Sequence, residues 1–295
     1  HSRSGRYVLA YNGEVYNYED LRSALDAAGG GGDWRGHSDT EVLLAGIELW
    51  GLAETLRRAT GMFALALWDR ETGTLSLARD RLGEKPLYYG WQGEGEGRAF
   101  LFGSEPKSFR QHPAFAGEID RGALTLLMRH GYVPAPHSIY RGIAKLLPGT
   151  ILTLSASQPE PRIEAYWSLI DAARNGQAAP FAGSPQEAVD RLEQLATASV
   201  RRQMVSDVPL GAFLSGGVDS SIVVALMQSV SSQPVKTFTI GFDERGFDEA
   251  QYAKAVAAHL GTDHHELYVR PEDAQQVIPL LPQFYCEPFA DSSQI

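Results

Sequence analysis

The nine residues Phe213-Leu-Ser-Gly-Gly-Val-Asp-Ser-Ser221 constrain this chain more than any other stretch. They follow the apolar run Pro209–Leu214, which reads as a strand, and lead into the helical pattern Asp219–Ser229. Gly216 and Gly217 allow a sharp turn and expose backbone N–H groups with no Cβ in the way. Ser215, Ser220 and Ser221 add hydroxyls. The start of the next helix adds oriented amides and partial positive charge. A strand, a loop of this make-up and a helix form a cradle for phosphate. Asp219 does not suit a bare anion. It suits Mg²⁺, which bridges carboxylate and phosphate oxygens. No lysine stands in the loop, so it is not the Gly-Lys-Ser/Thr phosphate loop. The alternative is a tight strand–helix turn built from small residues.

The surroundings fit a nucleotide-binding sheet. Pro185–Gln203 has a helical pattern, Val235–Phe242 reads as a strand, Asp248–Leu260 as a helix with Asp248 and Glu249 at its start, and His264–Val269 as a strand. Strands alternating with helices predict βαβ units and a parallel sheet. Upstream the pattern is β-rich. Arg6–Asn12, Met62–Asp69, Thr74–Asp80, Leu87–Trp91, Ala99–Gly103 and Ile151–Leu154 read as strands, with Asn12-Gly13 as a turn signal. Tyr18–Ala28, about Asp39–Trp50 and Arg121–His130 read as helices, the second opened by a Ser38/Glu41 capping box. Asp171–Pro185 is rich in Ala, Gly and Pro without clear periodicity, and is the candidate linker.

Composition narrows the function classes. A net charge of −10 argues against a nucleic-acid partner, which needs a basic footprint. It also gives no platform for an anionic membrane. No apolar run reaches the ~18–20 residues of a membrane span. The single cysteine, Cys286, rules out an internal disulfide framework. A cytoplasmic location is expected. His264-His265 lack further ligands at metal-site spacing, so they are not expected to hold a metal.

Several segments together resemble one family. Tyr11-Asn-Gly-Glu-Val-Tyr-Asn-Tyr18, His37-Ser-Asp-Thr-Glu41, Gly61-Met-Phe-Ala64 and Ala78-Arg-Asp-Arg-Leu-Gly-Glu-Lys-Pro-Leu-Tyr-Tyr89, followed by the 213–221 loop, resemble the glutamine-hydrolysing asparagine synthetases of the asparagine synthetase B type. The loop itself resembles the pyrophosphate loop of N-type ATP pyrophosphatases. The resemblance implies a mixed α/β and α+β chain of two domains. Residues 1–165 would be a class II glutaminase domain, a partial αββα sandwich of the Ntn-hydrolase kind. Residues 166–184 would be the linker, and 185–295 a doubly wound parallel-sheet ATP-pyrophosphatase domain.

The resemblance also implies roles. The Asn12 side chain and the Gly13 N–H would form an oxyanion hole, with Asn12-Gly13 as a plain hairpin turn the alternative. Glu14 and Asp39, with Asn12, would bind glutamine, the carboxylates holding its ammonium; Asp39 also suits a helix start. ATP would contact Leu214, Ser215, Gly216, Gly217, Asp219, Ser220, Ser221, Ile240 and Gly241, with Asp219 on Mg²⁺. Phe238 is read as an ordinary buried strand residue. The 79–87 and 103–107 segments are read as structural loops.

The implied substrates are glutamine, aspartate and ATP, giving asparagine through β-aspartyl-AMP. A homodimer is the expected assembly. The alternatives are an amidotransferase acting on another carboxylate and a non-catalytic nucleotide-binding regulator. The family's amino-terminal nucleophilic cysteine is missing from His1-Ser2-Arg3, and the later Ser-Gly-Glu-type loop is missing after Ile295, so truncation at both ends is expected. Cys286 is read as a small buried hydrophobe, not the nucleophile.

Overall fold

A computed structural model describes residues 1–32, 34–242 and 249–291. The chain divides into two compact units. The first comprises His1–Ala179 together with the segment that begins at Pro282, and the second spans Pro180–Leu281.

The first unit is layered. Its main sheet contains β1 (Tyr7–Val15), β2 (Gly61–Asp69), β3 (Thr74–Arg79), β7 (Thr150–Ser155) and β8 (Arg162–Ala165), in that order and antiparallel throughout. A smaller antiparallel sheet runs β5 (Ala99–Gly103), β4 (Tyr88–Gln92), β6 (Ala144–Lys145). Strand alternation sends neighbouring side chains to opposite faces. Phe63, Leu65 and Leu67 of β2 therefore pack with Leu21 and Leu25 of α1 (Tyr18–Ala27), Val42, Leu43 and Ile47 of α2 (Asp39–Trp50) and Leu56 of α3 (Leu52–Arg58). Ala64 and Ala66 of the same strand face the other way, with Leu77, Leu152 and Leu154, against Tyr89, Trp91 and Phe100 of the small sheet. The far face of that sheet, through Tyr88 and Leu101, meets Ala123 and Leu127 of α4 (Arg121–His130). The result is helix, sheet, sheet, helix.

Three local readings need correction. Asn12-Gly13 is no turn: β1 runs straight through both to Val15, paired residue for residue with β2. The Ser38/Glu41 capping box does not form. Ser38 Oγ accepts from the Thr40 N–H at 3.1 Å, but the Glu41 carboxylate takes the Arg35 and Gly36 amides instead. The expected linker region contains α5 (Leu169–Ala178), capped by Ser168 Oγ. None of its residues is buried.

The second unit has three parallel strands in the order β11 (Asp263–Val269), β10 (Lys236–Phe242), β9 (Gly211–Phe213). Right-handed crossovers marching in one direction place both connecting helices on one face. Those helices, α7 (Val218–Val230) and α8 (Ala250–Leu260), share a core of Leu214, Val224, Ala253 and Ala257. α6 (Pro185–Gln203) carries the capping box Ser184/Glu187 and packs on α7. Asp248, expected at the start of α8, lies outside the described residues; Glu249 is the cap residue. Phe238 is not buried. It stands on the sheet's other face, 40% exposed, stacked on His265 at 5.3 Å. Among the described residues no helix is long and apolar enough to cross a membrane.

Candidate functional site

The first candidate site lies at the open edge of the main sheet, where β1 is the outermost strand. Phe63, opposite Gly13, donates its N–H to Asp80 Oδ2 at 3.2 Å and accepts from the Asp80 N–H at 2.8 Å. Both polar groups of Phe63 therefore point toward β3. In an antiparallel ladder the residue opposite such a position points both of its groups the other way. The Gly13 N–H is thus aimed off the sheet edge, outside the ladder. Val15, two residues on and in the same phase, shows the direction: its N–H reaches Asp39 Oδ2 at 2.9 Å. A Cβ on Gly13 would lie 2.2 Å from Met62 O and 2.6 Å from Phe63 Cα, so no larger residue fits.

Asn12 projects from the opposite face of β1 and is exposed. Its Nδ2 donates to Ser104 Oγ at 3.0 Å. An amide nitrogen carries two hydrogens, so one remains for a substrate. Ser104, read from sequence as part of a structural loop, is hence a direct neighbour of this site.

Asp39 heads α2 as expected, and it also straps that helix to β1. Its Oδ2 accepts from Tyr11 Oη at 3.1 Å and the Val15 N–H, and its Oδ1 from Thr40 Oγ1 at 3.2 Å. Burial, then the Asp39 charge, pushes the Tyr11 phenol far above its ordinary value, so Tyr11 stays a donor to Asp39. Glu14 is exposed, one residue before the amide that Asp39 holds.

Behind these groups stands Asp80, a carboxylate with no exposed surface. It accepts from five backbone amides: Phe63 at 3.2 Å, Leu82 at 3.1 Å, Gly83 at 2.6 Å, Glu84 at 2.9 Å and Lys85 at 3.0 Å. Arg79 completes the knot through the carbonyls of Gly83, Lys85 and Leu146 at 2.6–2.8 Å. The charged motif around residue 80 is therefore an internal clamp, one end of which sets Phe63 opposite Gly13.

The second candidate site is the 213–221 loop at the carboxyl end of β9, the position where open α/β sheets hold their ligands. The Leu214 N–H donates to Phe238 O at 2.9 Å, and Thr239 Oγ1 donates to Leu214 O. The loop leaves β9 firmly fixed to β10. Gly216 has φ +77°, and a Cβ there would sit 2.7 Å from both the Ala253 N and Tyr252 Cβ of α8. Helix and loop can touch this closely only with glycine. Ser215 and Ser220 share a hydrogen bond of 2.9 Å across the loop. Gly217 caps α7, and Asp219 stands exposed in its first turn.

Not every expected contact converges here. The Leu214 side chain is in the core, so only its backbone faces the loop. Ser221 is rotated about 100° from Ser220 around α7. Its Oγ is buried without a hydrogen-bond partner among the described residues, on the side of the groove lined by Ala255, His259 and Leu260. Ile240 faces the open side of the sheet, whereas Gly241 lies beneath α8, where a Cβ would meet the Tyr268 ring at 2.6 Å. His264 and His265 also diverge: one bonds Thr237 Oγ1 at 2.9 Å and the other stacks on Phe238.

Asp219 is the carboxylate at hand for Mg²⁺. No cluster of three His, Cys, Asp or Glu ligands exists among the described residues. One carboxylate plus nucleotide phosphates is an ordinary Mg²⁺ ligand set, so these residues fit the ion as part of a metal–nucleotide complex.

Comparison with known proteins assigns both regions. Residues 1–167 match the family model of the glutamine amidotransferase domain, and residues 191–295 match that of asparagine synthase. Putative glutamine-hydrolysing asparagine synthetase 2 of Methanocaldococcus jannaschii is 34% identical over 289 residues, covering 97% of this chain and 53% of its own. Glutamine-hydrolysing asparagine synthetase 1 of Bacillus subtilis is 33% identical over 291 residues, covering 98% and 43%. The chain spans about half the length of the curated relatives it matches. The solved glutamine phosphoribosylpyrophosphate amidotransferase of B. subtilis, complexed with ADP and GMP, aligns over 92% of this chain and 72% of its own, at 14% identity and a TM-score of 0.41. That likeness is too low to bear on the fold.

Proposed function

The chain belongs to the family of glutamine-hydrolysing asparagine synthetases, and we propose that the protein is an ATP-dependent ligase that makes asparagine from aspartate and glutamine. The observation that carries this reading is the loop at 215–220. A left-handed Gly216 is pressed against α8, a serine pair spans the loop, and an exposed carboxylate stands at the helix start. The proposed division is a glutaminase domain over 1–165, a connection over 166–184 and an ATP-pyrophosphatase domain over 185–295. A cytoplasmic homodimer is part of the same reading.

In the first domain, the Gly13 N–H and Asn12 Nδ2 would donate to the oxyanion that forms when glutamine's side-chain amide is attacked. Fixed donors of this kind are worth about 3–4 kcal/mol each in other hydrolases. Glu14 and Asp39 would hold the glutamine ammonium as charge-assisted partners. Asn12 therefore serves both binding and catalysis.

In the second domain, the triphosphate of ATP would lie on the loop amides and the hydroxyls of Ser215 and Ser220, close to the backbone of Leu214 and to Ile240 and Gly241. Asp219 would hold Mg²⁺, which neutralises charge on the departing pyrophosphate. An oxygen of the aspartate β-carboxylate attacks the α-phosphorus, and the bond to the β-phosphate bridge breaks. Ammonia then attacks the acyl carbon, loses a proton, and AMP departs with the carboxylate oxygen.

The test is product identity. The full-length protein given aspartate, glutamine and Mg·ATP is expected to yield asparagine, glutamate, AMP and pyrophosphate in equal amounts. ADP with inorganic phosphate would exclude adenylation. Turnover only with a different carboxylate would move the acceptor assignment, and nucleotide binding without turnover would favour a regulator.

A further inference from the structure

Asn12 is the least supported group at the edge of the main sheet. β1 is the outermost strand there, and Asn12 lies on the face it shares with Ala64, its partner on β2, which packs toward the small sheet. Its side chain is a planar amide on a rotatable stem, and it is exposed. Among the described residues its one hydrogen bond goes to Ser104, 92 positions away. Gly13 needs no such support, because the ladder aims its N–H.

Ser104 is placed quite differently. The residue before it, Gly103, closes β5 in register with Tyr88 of β4, and β5 is the outermost strand of the small sheet. The residues after it enter a tight turn, Pro106–Gln111, anchored by the buried Pro106 and Phe109. Ser108 closes that turn, its Oγ and its N–H both donating to Glu105 O, at 2.7 and 3.1 Å. Gly103 is packed so closely on the turn that a Cβ would lie 3.1 Å from Ser108 Oγ and 3.3 Å from Phe109 Cε1. The Ser104 hydroxyl thus stands between a strand ladder and a packed turn, on fixed backbone.

The shape of an amide gives this bond its consequence. Both hydrogens of Nδ2 lie in the amide plane at a fixed angle, so holding one on Ser104 Oγ sets the direction of the other. Donors to an oxyanion are effective when they are aimed before the charge develops. A side chain on an exposed edge keeps such an aim only if a neighbour on a rigid element holds it.

We propose that Ser104 is a positioning residue for glutamine hydrolysis. Its hydroxyl, reaching from the second sheet of the unit, holds one hydrogen of Asn12 Nδ2 and so aims the other at the oxygen that becomes charged when the glutamine amide is attacked. The role rests on the glutaminase reading above. Ser104 itself touches no reacting atom.

Glutamate release from glutamine by the full-length protein tests this. In Ser104→Ala, kcat is expected to fall about three- to tenfold, the span of one hydrogen bond open to water, with KM within about twofold of the parent. In an Asn12→Ala background the same change is expected to cost less than about twofold, because the group it aims is gone. A merely structural serine would cost the same in both backgrounds. Ser104→Thr keeps the hydroxyl and is expected to recover most of the parent's kcat. A second readout needs no turnover. With asparagine carrying ¹⁵N in its side chain, the Asn12 Nδ2 protons are identified by their loss from the NMR spectrum in Asn12→Ala. In Ser104→Ala they are expected to exchange with water at least about twofold faster. Unchanged kcat, a loss repeated in full without the Asn12 amide, or Ser104→Thr as slow as Ser104→Ala overturns the positioning role. Unchanged exchange overturns the hydrogen bond itself. If the parent releases no glutamate, the glutaminase reading fails, while proton exchange still decides whether Ser104 holds Asn12.

Discussion

Asp80→Ala is expected to be among the most damaging single changes in the amino-terminal unit. Five backbone amides converge on that carboxylate in a place with no solvent exposure. A buried amide that loses its acceptor costs roughly 1–3 kcal/mol, and water or local rearrangement recovers only part of this. A loss of at least about 4 kcal/mol follows, a large share of the ~5–15 kcal/mol that holds a domain folded. Asp80→Asn keeps the shape but turns a nitrogen toward donors, and about 2–3 kcal/mol should be lost. Denaturant unfolding followed by circular dichroism measures both. The effect reaches function through Phe63, whose amide the carboxylate holds and whose position lies opposite Gly13. A midpoint shift worth less than about 1 kcal/mol for the alanine variant would refute the clamp.

Gly216→Ala is expected to abolish nucleotide binding, weakening Mg·ATP by at least about a hundredfold, or ~2.7 kcal/mol. Two costs combine. A side chain at φ +77° is strained by about 1–2 kcal/mol. Its Cβ would also press on the Ala253 nitrogen and Tyr252 Cβ, both 2.7 Å away, which pushes the loop off α8. The neighbouring Gly217→Ala is the informative control. Gly217 has an ordinary extended conformation, and a Cβ there meets only Ser215 Oγ, at 3.3 Å. That hydroxyl can shift, so binding should fall by less than about tenfold. Titration calorimetry with Mg·ATP separates the two. Equal affinities for the parent and Gly216→Ala would show that the nucleotide does not use this loop.

Much of the fold was legible because local patterns and tertiary structure agree. The alternation of Phe63–Leu67 announces a strand that two layers share, and the strand–loop–helix at 209–229 announces its turn chemistry in plain residue types. Misreadings arise where a local signal loses to a distant one. Asn12-Gly13 looks like a turn, but pairing with β2 over nine residues keeps the strand extended. Glu41 has capping-box spacing, but two amides of the preceding loop take its carboxylate. Phe238 reads as an ordinary buried strand residue, yet only the phase of Thr237, Thr239 and Gly241 meets α8.

The residues that sequence reasoning missed are those whose partners lie far along the chain. Asp80 sits between two arginines in a stretch read only as a structural loop; the glycine three residues on hints that amides turn back toward it. Glu287 and Lys145 are 142 positions apart, and nothing local to either marks an ion pair. Ser104 becomes interesting only once Asn12 is found beside it.

The claim on which this account rests is that an aspartate carboxylate is activated by transfer of adenylate. Aspartate carrying ¹⁸O in its β-carboxyl group, turned over by the full-length protein with glutamine and Mg·ATP, tests that bond directly. One ¹⁸O per molecule of AMP formed is the predicted result. Label in inorganic phosphate, or AMP formed without label, would contradict it.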